Sequence, residues 1–305
     1  MPPAVRMLSA IPTKIVRPVL RAAAGRGLCA AFAAMLLAAP APAQNEVRPD
    51  RVRTELVAPD NSAHAFIHWQ LKSRATLERL AKFFSPLRLP RDVLMTVKGC
   101  NGEVDAYYED AVITVCYEYL AYIREQAPAA RSEEGLRRRD AVVGPTIDLF
   151  LHEMAHAVFD LLKIPLFGRE EDAADQFSAY LLLHADREEA RALITGTAFL
   201  GRVESQEVMS KNTELRYFAR EHGHPAQRYF NLLCAAYGFD PVLFADAVSH
   251  WNLPPERARG CAQEYAQIDR AFKALIVPHL DPVLWEEVRA RKFLRNWPGQ
   301  PNVRN

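Results

Sequence analysis

Two histidines and a glutamate stand at helical spacing near the middle of the sequence. His152, Glu153 and His156 lie within the run TIDLFLHEMAHAVFDLL. At about 3.6 residues per turn, the two imidazoles project from one helix face and can bind one metal ion, while Glu153 can hold a water molecule and take its proton. The flanking residues are nearly all apolar, so these polar groups need a metal or another partner. A core helix with hydrogen-bonded histidines is the alternative interpretation.

An acidic segment after this helix supplies a third metal ligand. Glu171 and Asp175 are four residues apart and share a helix face, so Glu171 can complete the ligand set while Asp175 accepts a hydrogen bond from a liganding imidazole. Glu170 and Asp172 are rival ligands, and an acidic helix start explains both of them without a metal. Three protein ligands leave the fourth position open for water, as in catalytic zinc sites. The spacing therefore predicts one Zn²⁺ per chain, bound by His152, His156 and Glu171.

A zinc hydrolase also needs a side chain that stabilises the oxyanion formed on its substrate. Tyr180 and His184 follow Glu171, but helical spacing puts both on the opposite side of that helix. His222, His224 and Arg228 lie in a later polar stretch that can reach over the metal. We predict His222 as the second catalytic residue beside Glu153, with a surface-loop histidine as the alternative.

The N-terminus has the pattern of an export signal. A basic lead without acidic residues precedes an apolar run at 28–39, and small residues at 41–43 predict cleavage after Ala43. The apolar run is shorter than the roughly 20 residues that span a bilayer, which disfavours a retained anchor. Loss of five basic residues and no acidic ones changes the formal charge from +1 to −4. We therefore expect a periplasmic or extracellular protein at 44–305, with no nucleic-acid partner and no membrane association after cleavage.

The chain after residue 43 contains four cysteines, an even number that favours disulfides in an exported protein. Three pairings are possible, and local closure favours Cys100 with Cys116 and Cys234 with Cys261. A structural zinc site made of thiolates is the alternative, but the sequence has no C-x-x-C spacing.

Hydrophobic periodicity predicts mixed α and β structure, followed by helices. The predicted strands are 63–69, 93–97 and 112–115. Helices are expected at 75–84 and 117–125, a loop at 127–140, and a helix that begins at Pro145. Further helices follow, and the last is predicted at 281–296 with Trp285 on its apolar side. We predict a single α+β domain at 44–305, zincin-like, with a small sheet packed on the metal helix and a mostly helical C-terminal half. The strand at 112–115 is expected to form the sheet edge that holds an extended substrate.

Three stretches resemble one known family. They are HEMAHAVFDLLKIPLFGREEDAADQF, CNGEVDAYYEDAVITVCYEYL and EHGHPAQRYFNLLCAAYG. The sequence is similar to an uncharacterised bacterial family of exported proteins that is named as metallopeptidases for its motif, within the broad gluzincin group. The resemblance implies a zincin-like fold and peptidase chemistry. It also implies one cysteine at each position of the flanking pairs, and it favours His222 as the oxyanion-stabilising residue. Asp105 departs from the asparagine expected there, which leaves any role of that position open.

The sequence thus predicts a zinc-dependent metallopeptidase that acts on peptides or proteins, with Glu153 as general base. Two other functions stay open. One is an inactive zincin-like interaction module in the periplasm, and the other is a zinc hydrolase of cell-wall amides.

Overall fold

The computed structural model describes residues 47–132, 135–211 and 214–289. The predicted signal peptide with its cleavage site after Ala43 lies outside these residues, as does the end of the predicted 281–296 helix beyond residue 289. Both stay predictions. The first part of that last helix is present, and Trp285 packs against the core as expected.

A four-stranded mixed sheet forms the β part of the fold. Its strands are β1 (Val52–Leu56), β2 (Val93–Lys98), β3 (Ala106–Glu109) and β4 (Val112–Cys116). The order is β1-β2-β4-β3, in which β1, β2 and β4 are parallel and β3 is antiparallel to β4. Strands β2 and β4 match two sequence predictions, whereas β1 and β3 were not predicted. Because β4 pairs on both sides, the expectation that 112–115 forms a sheet edge is wrong, and the edge strands are β1 and β3.

A tight two-residue turn joins β3 to β4. Asp110 and Ala111 both adopt positive φ angles, 46° and 64°, as two-residue hairpin turns between twisted strands require. Asparagine and glycine are the usual residues in such a turn, so this sequence gives a weak hairpin signal. That weakness explains why the short strand β3 escapes prediction.

The predicted strand at 63–69 is wrong, because these residues begin a helix. A short 3-10 helix (Ser62–His64) leads into α1 (Ala65–Ser73), followed by α2 (Thr76–Phe84). The Asn61 side chain accepts a hydrogen bond from Ala63 N at 3.0 Å and caps the start. Apolar residues alternate over this short stretch and mimic a strand, but the buried pair is Ile67 and Leu71, which are one helical turn apart.

From residue 117 onward the described residues are mainly helical, which confirms the predicted α+β class with a helical C-terminal half. The α-helices are α3 (Tyr117–Gln126), α4 (Arg138–Leu162), α5 (Glu170–Leu183), α6 (Arg187–Ser210), α7 (Pro225–Phe239), α8 (Asp246–Ser249), α9 (Pro255–Leu275) and α10 (Pro282–Arg289). Short 3-10 helices lie at Leu215–Ala219 and Val277–His279. Strands β3 and β4 contact α4, so the sheet packs on the helix that carries the histidine motif.

Helix α4 begins two turns before Pro145, where the sequence predicted its start. The Arg138 side chain anchors the helix start by donating hydrogen bonds to backbone carbonyls at residues 124, 127 and 128. Gly144 then packs against α6, where a Cβ atom would lie 2.4 Å from Leu193 O. Local sequence rules treat a proline as a helix boundary, but here the helix packed on α6 continues through Pro145.

Two disulfides cross-link the described part of the chain, and both join the cysteines that lie near each other in the sequence, as predicted. Cys100 is bonded to Cys116, next to the sheet, and Cys234 to Cys261, between α7 and α9. Among the described residues, no helix is long and apolar enough to span a membrane.

Candidate metal centre

Helix α4 presents His152, Glu153 and His156 in an apolar environment. His152 and Glu153 are each only 5% exposed. The Nε2 atoms of His152 and His156 are 3.2 Å apart, because residues four apart project from one face of a helix. The two imidazoles therefore point to one position.

The first turn of α5 brings an acidic side chain to the same position. Glu171 Oε2 lies 3.1 Å from His152 Nε2 and 3.6 Å from His156 Nε2. The two rival acids are placed differently. Glu170 contacts the other face of His156, 2.8 Å from its Nδ1, and Asp172 pairs with the arginine three residues before it. Of the three acids, only Glu171 approaches both Nε2 atoms.

Asp175 lies one turn further along α5, against the second nitrogen of His152. Its Oδ1 is 3.0 Å from His152 Nδ1, close enough for an ion pair but without hydrogen-bond alignment, so that buried nitrogen has no aligned partner. Arg228 of α7 donates two hydrogen bonds to Asp175, at 2.6 and 2.7 Å. The sequence suggested Arg228 only as a partner for a substrate oxygen. A buried carboxylate needs a cation, so Asp175 next to an apolar helix was the sequence signal that could have revealed this ion pair.

His222 reaches the donor cluster from the loop before α7. Its Nε2 lies 2.9 Å from Glu171 Oε2, and its ring stacks on His152 with centroids 5.9 Å apart. Ligand atoms of His152, Glu171 and His222 all lie within 4.8 Å of one another. Unlike the other donors, His222 keeps 53% of its side chain exposed. It is therefore placed at the solvent side of the cluster.

The other residues weighed from the sequence lie away from the cluster. His224 caps α7, where its Nδ1 accepts a hydrogen bond from Ala226 N at 3.2 Å. Tyr180 and His184 stack on each other with ring centroids 4.0 Å apart, and Tyr180 also stacks on Phe272 of α9. These two residues face the core on the other side of α5, as helical spacing predicts.

The close approach of these groups shifts their proton equilibria. Burial opposes the charged form of His152, but contacts with Asp175 and Glu171 outweigh it and raise the pKa of His152 to about 10. Burial also opposes ionisation of the two carboxyl groups, yet the histidines hold the pKa of Glu171 well below its usual range, and Arg228 does so for Asp175. For Glu153 the result is opposite, because burial raises its pKa more than the neighbouring histidines lower it.

An open cleft of about 540 Å³ runs past the cluster. His152, Glu153 and His222 line it, and the residues just before and at the start of the edge strand β3, including Asp105, form part of its rim. Tyr108 of β3 donates a hydrogen bond to Asp160 Oδ2 of α4 at 2.7 Å. This contact holds the sheet edge beside the helix that carries the motif.

The donor set fits a divalent metal ion. Imidazole nitrogen and carboxylate oxygen are the ligands that zinc takes in catalytic sites, usually three from the protein. Here the Nε2 atoms of His152 and His156 and a carboxylate oxygen of Glu171 converge within 3.6 Å of one another. The buried His152 Nδ1, next to Asp175, has the position of the outer hydrogen bond that orients a liganding imidazole.

Comparison with known proteins places the chain in a family. The family model DUF4344, described as "Putative metallopeptidase", matches residues 57–276. The chain belongs to the DUF4344 family. A metallopeptidase family implies a metal ion and peptide or protein substrates, and the matched range contains the whole donor cluster. Neither the curated proteins nor the solved structures include a significant match to the chain.

Proposed function

We propose that the protein is a zinc-dependent peptidase whose metal is bound by His152, His156 and Glu171. The observation that carries this proposal is the convergence of two imidazole Nε2 atoms and one carboxylate oxygen beside an open cleft that His152 lines. Membership of a metallopeptidase family supports it. Zinc in such a site polarises the substrate carbonyl and lowers the pKa of a water molecule to about 7.

Glu153 is proposed as the general base. It follows His152 directly and lines the same cleft, so its carboxylate can take a proton from the attacking water and pass it to the leaving amine. Glu153→Gln keeps the size of the side chain but removes the basic group. We expect this variant to bind zinc like the wild type and to lose peptide hydrolysis.

His222 is proposed to stabilise the oxyanion that forms on the substrate carbonyl. Its place at the solvent side of the cluster, with the ring half-exposed toward the cleft, supports this role. Loss of one such donor costs about 10²–10³ in kcat. We expect His222→Ala to show that loss with unchanged zinc content. Loss of zinc in His222→Ala would instead make His222 a metal ligand.

The edge strand β3 is proposed to hold the substrate chain. β3 pairs only with β4, and its N-terminal end lies at the cleft rim, so an extended peptide can add to its free side. Substrate peptides with an N-methyl group on alternate backbone nitrogens test this arrangement. If the strand binds substrate, methylation at one set of positions raises KM and methylation at the other set does not.

The first experiment is metal analysis of the chain from residue 44 to 305 by mass spectrometry. We expect one zinc per wild-type chain and loss of zinc in His156→Ala and Glu171→Ala. Asp172→Ala is the matched control, because this neighbouring acid pairs with an arginine outside the cluster and the variant should keep its zinc. Retention of zinc by Glu171→Ala would reject the ligand set. Wild-type protein that cannot take up zinc would reject the enzyme and favour an interaction module.

The same protein separates the two hydrolytic functions. Cleavage of unfolded protein or peptide mixtures, abolished in Glu153→Gln, supports the peptidase. Release of fragments from cell-wall material without peptide cleavage would favour the amide hydrolase.

Export is also part of the proposal. The two disulfides support an oxidising compartment. N-terminal sequencing of the protein recovered outside the cytoplasm should begin at Gln44, and an intact N-terminus would contradict cleavage after Ala43.

A further inference from the structure

The cleft beside the donor cluster continues to an inner end that is strongly acidic. Among the described residues, eight acidic side chains and one arginine line the cleft. That arginine, Arg228, is already bound through two hydrogen bonds to Asp175. Glu264 is paired with Arg257 outside the cleft. Asp172 is paired with Arg169, and Asp105 lies at the rim. Asp148, Glu204 and Glu207 remain at the inner end, and none of them forms an ion pair within the described residues.

Two polar groups at this inner end have no partner among the described residues. Glu204 of α6 lines the cleft and makes no hydrogen bond or ion pair there. The Tyr119 hydroxyl on α3 also has no hydrogen-bond partner in the described part of the chain. Thr197, two turns before Glu204 on the same helix and about 10 Å from it along the axis, has a buried Oγ1 that no other described residue contacts by a hydrogen bond. Polar groups inside proteins are nearly always satisfied, so unpartnered groups in the wall of one cavity are available to a ligand.

The walls between this end and the metal donors are mainly apolar and aromatic. Leu149, Ala198 and Leu232 line the cleft there. The rings of Tyr119 and Tyr122 lie 6.2 Å apart at an angle of 53°. Apolar walls accommodate a hydrocarbon stem, and tyrosine faces attract a cation. This lining matches a long aliphatic side chain that ends in a positive charge.

The inner end lies close to the reacting centre. Asp148, which also lines it, is one turn before His152 on α4, a distance of about 6 Å along the helix. Since an extended chain advances by about 3.3 Å per residue, a substrate side chain near the cleaved bond is placed to reach Asp148, whose charge acts on Glu204.

We infer that the inner end of the cleft, formed by Glu204 and Tyr119, is a subsite for a positively charged substrate side chain, so that the chain selects peptides with lysine or arginine near the cleaved bond. This inference rests on the peptidase function proposed above. Glu204 binds the cation, the hydroxyl group of Tyr119 accepts a hydrogen bond from it, and the tyrosine rings pack on the stem.

The proton equilibrium of Glu204 agrees with this assignment. Burial raises the pKa of Glu204 to about 7; Arg228 opposes this shift, and the nearby acids Glu207 and Asp148 add to it. A bound ammonium or guanidinium group supplies the opposite charge that favours the ionised carboxylate.

Binding is measured first, in the zinc-loaded Glu153→Gln chain, so that no cleavage is needed. Two peptides are compared by calorimetry, identical except for lysine or norleucine next to the scissile position. We expect the lysine peptide to bind at least tenfold more tightly. In the Glu153→Gln background, Glu204→Gln should abolish that preference and leave the norleucine peptide within twofold. Tyr119→Phe should reduce the preference partly. Glu188→Gln, at an exposed position on the same helix, is the matched control and should keep the full preference.

Equal binding of both peptides to the Glu153→Gln chain, or an equal loss for both in Glu204→Gln, overturns the subsite. Cleavage by the wild type tests the other proposal separately. Bound peptides that remain uncleaved by the zinc-loaded wild type would reject the peptidase, while the binding preference would still identify a cation subsite. Cleavage without any preference for lysine or arginine would leave the peptidase intact and reject the subsite.

Discussion

The pair formed by Arg228 and Asp175 links the C-terminal helices to the metal donors, and its removal has two separable consequences. Arg228 donates to both oxygens of Asp175, at 2.6 and 2.7 Å. Asp175 in turn lies 3.0 Å from His152 Nδ1. The perturbation is Arg228→Met, which keeps the length of the side chain and leaves Asp175 as an uncompensated charge in the wall of the cleft.

The expected loss of stability follows from the burial of the pair. Breaking a buried ion pair on one side costs about 3–5 kcal/mol. The two side chains are 33% and 27% exposed, so solvent screens part of that charge and we expect about 2–3 kcal/mol. At about 2–4 °C per kcal/mol for a domain of this size, the melting temperature should fall by about 4–12 °C. Zinc affinity should fall about 10–100-fold, because Asp175 no longer holds His152 in place.

The assay is a double-mutant cycle with two readouts, thermal unfolding of the zinc-free protein and zinc affinity by competition with a chelating dye. The double variant Asp175→Leu with Arg228→Met replaces the pair by apolar groups, so it should regain most of the stability but not the zinc affinity. Arg187→Met is the matched control. Arg187 pairs with Asp240 at 2.6 Å, but its side chain is 61% exposed. Such surface pairs contribute about 1 kcal/mol or less to stability.

Two results would refute this reasoning. If Arg228→Met is as mild as Arg187→Met, the pair contributes no more than a surface contact. If the double variant regains zinc affinity together with stability, Asp175 acts through the fold alone and does not orient His152.

Three further predictions concern the close packing of a glycine, the contribution of a disulfide bond and the protonation of Glu204. Gly196→Ala should lower the free energy of unfolding by about 1–3 kcal/mol, because its Cβ would lie 2.0 Å from a backbone carbonyl oxygen of α4. Gly260→Ala is the control, because a Cβ there would have no contact within 4 Å among the described residues outside its own helix. A denaturant titration should show this second variant to be neutral or stabilising. Loss of the Cys234–Cys261 bridge, in a double serine variant, should cost about 3.5 kcal/mol from a closed loop of 27 residues, and an unchanged denaturation midpoint would contradict that cost. The raised pKa of Glu204, about 7 in the folded chain, means that the folded state binds more protons than the unfolded state between its usual pKa and 7. Stability should therefore fall as pH rises through that window, and Glu204→Gln should flatten the fall; parallel melting curves for both proteins would contradict this.

Local spacing in the sequence was sufficient for prediction where the geometry depends on neighbouring residues of one helix or strand. The four-residue intervals in α4 and α5 point His152 and His156, and then Glu171 and Asp175, to one side of each helix. The same kind of local argument identified β2, β4 and the two disulfide pairs. In each case the geometry is set within a few residues, so composition and periodicity carry the information.

Local rules failed where a distant element decides the outcome. The stretch at 63–69 alternates like a strand, yet it is helical because Ile67 and Leu71 are buried together. Pro145 looks like a helix start, yet α4 extends two turns before it because Gly144 packs closely on α6. β3 is short and its turn lacks glycine, so it was not predicted, and β4 was assigned to the edge position that β3 occupies.

The sequence by itself determined the identity of the candidate donors, because their chemistry and helical period are local properties. Only the tertiary structure decided which acid of α5 approaches both imidazoles, that Arg228 binds Asp175, and that Glu204 lines the cleft without a partner among the described residues. These contacts join residues up to 53 positions apart in the chain. The packing of α4, α5, α6 and α7 sets them, and no pattern within a single helix contains that information.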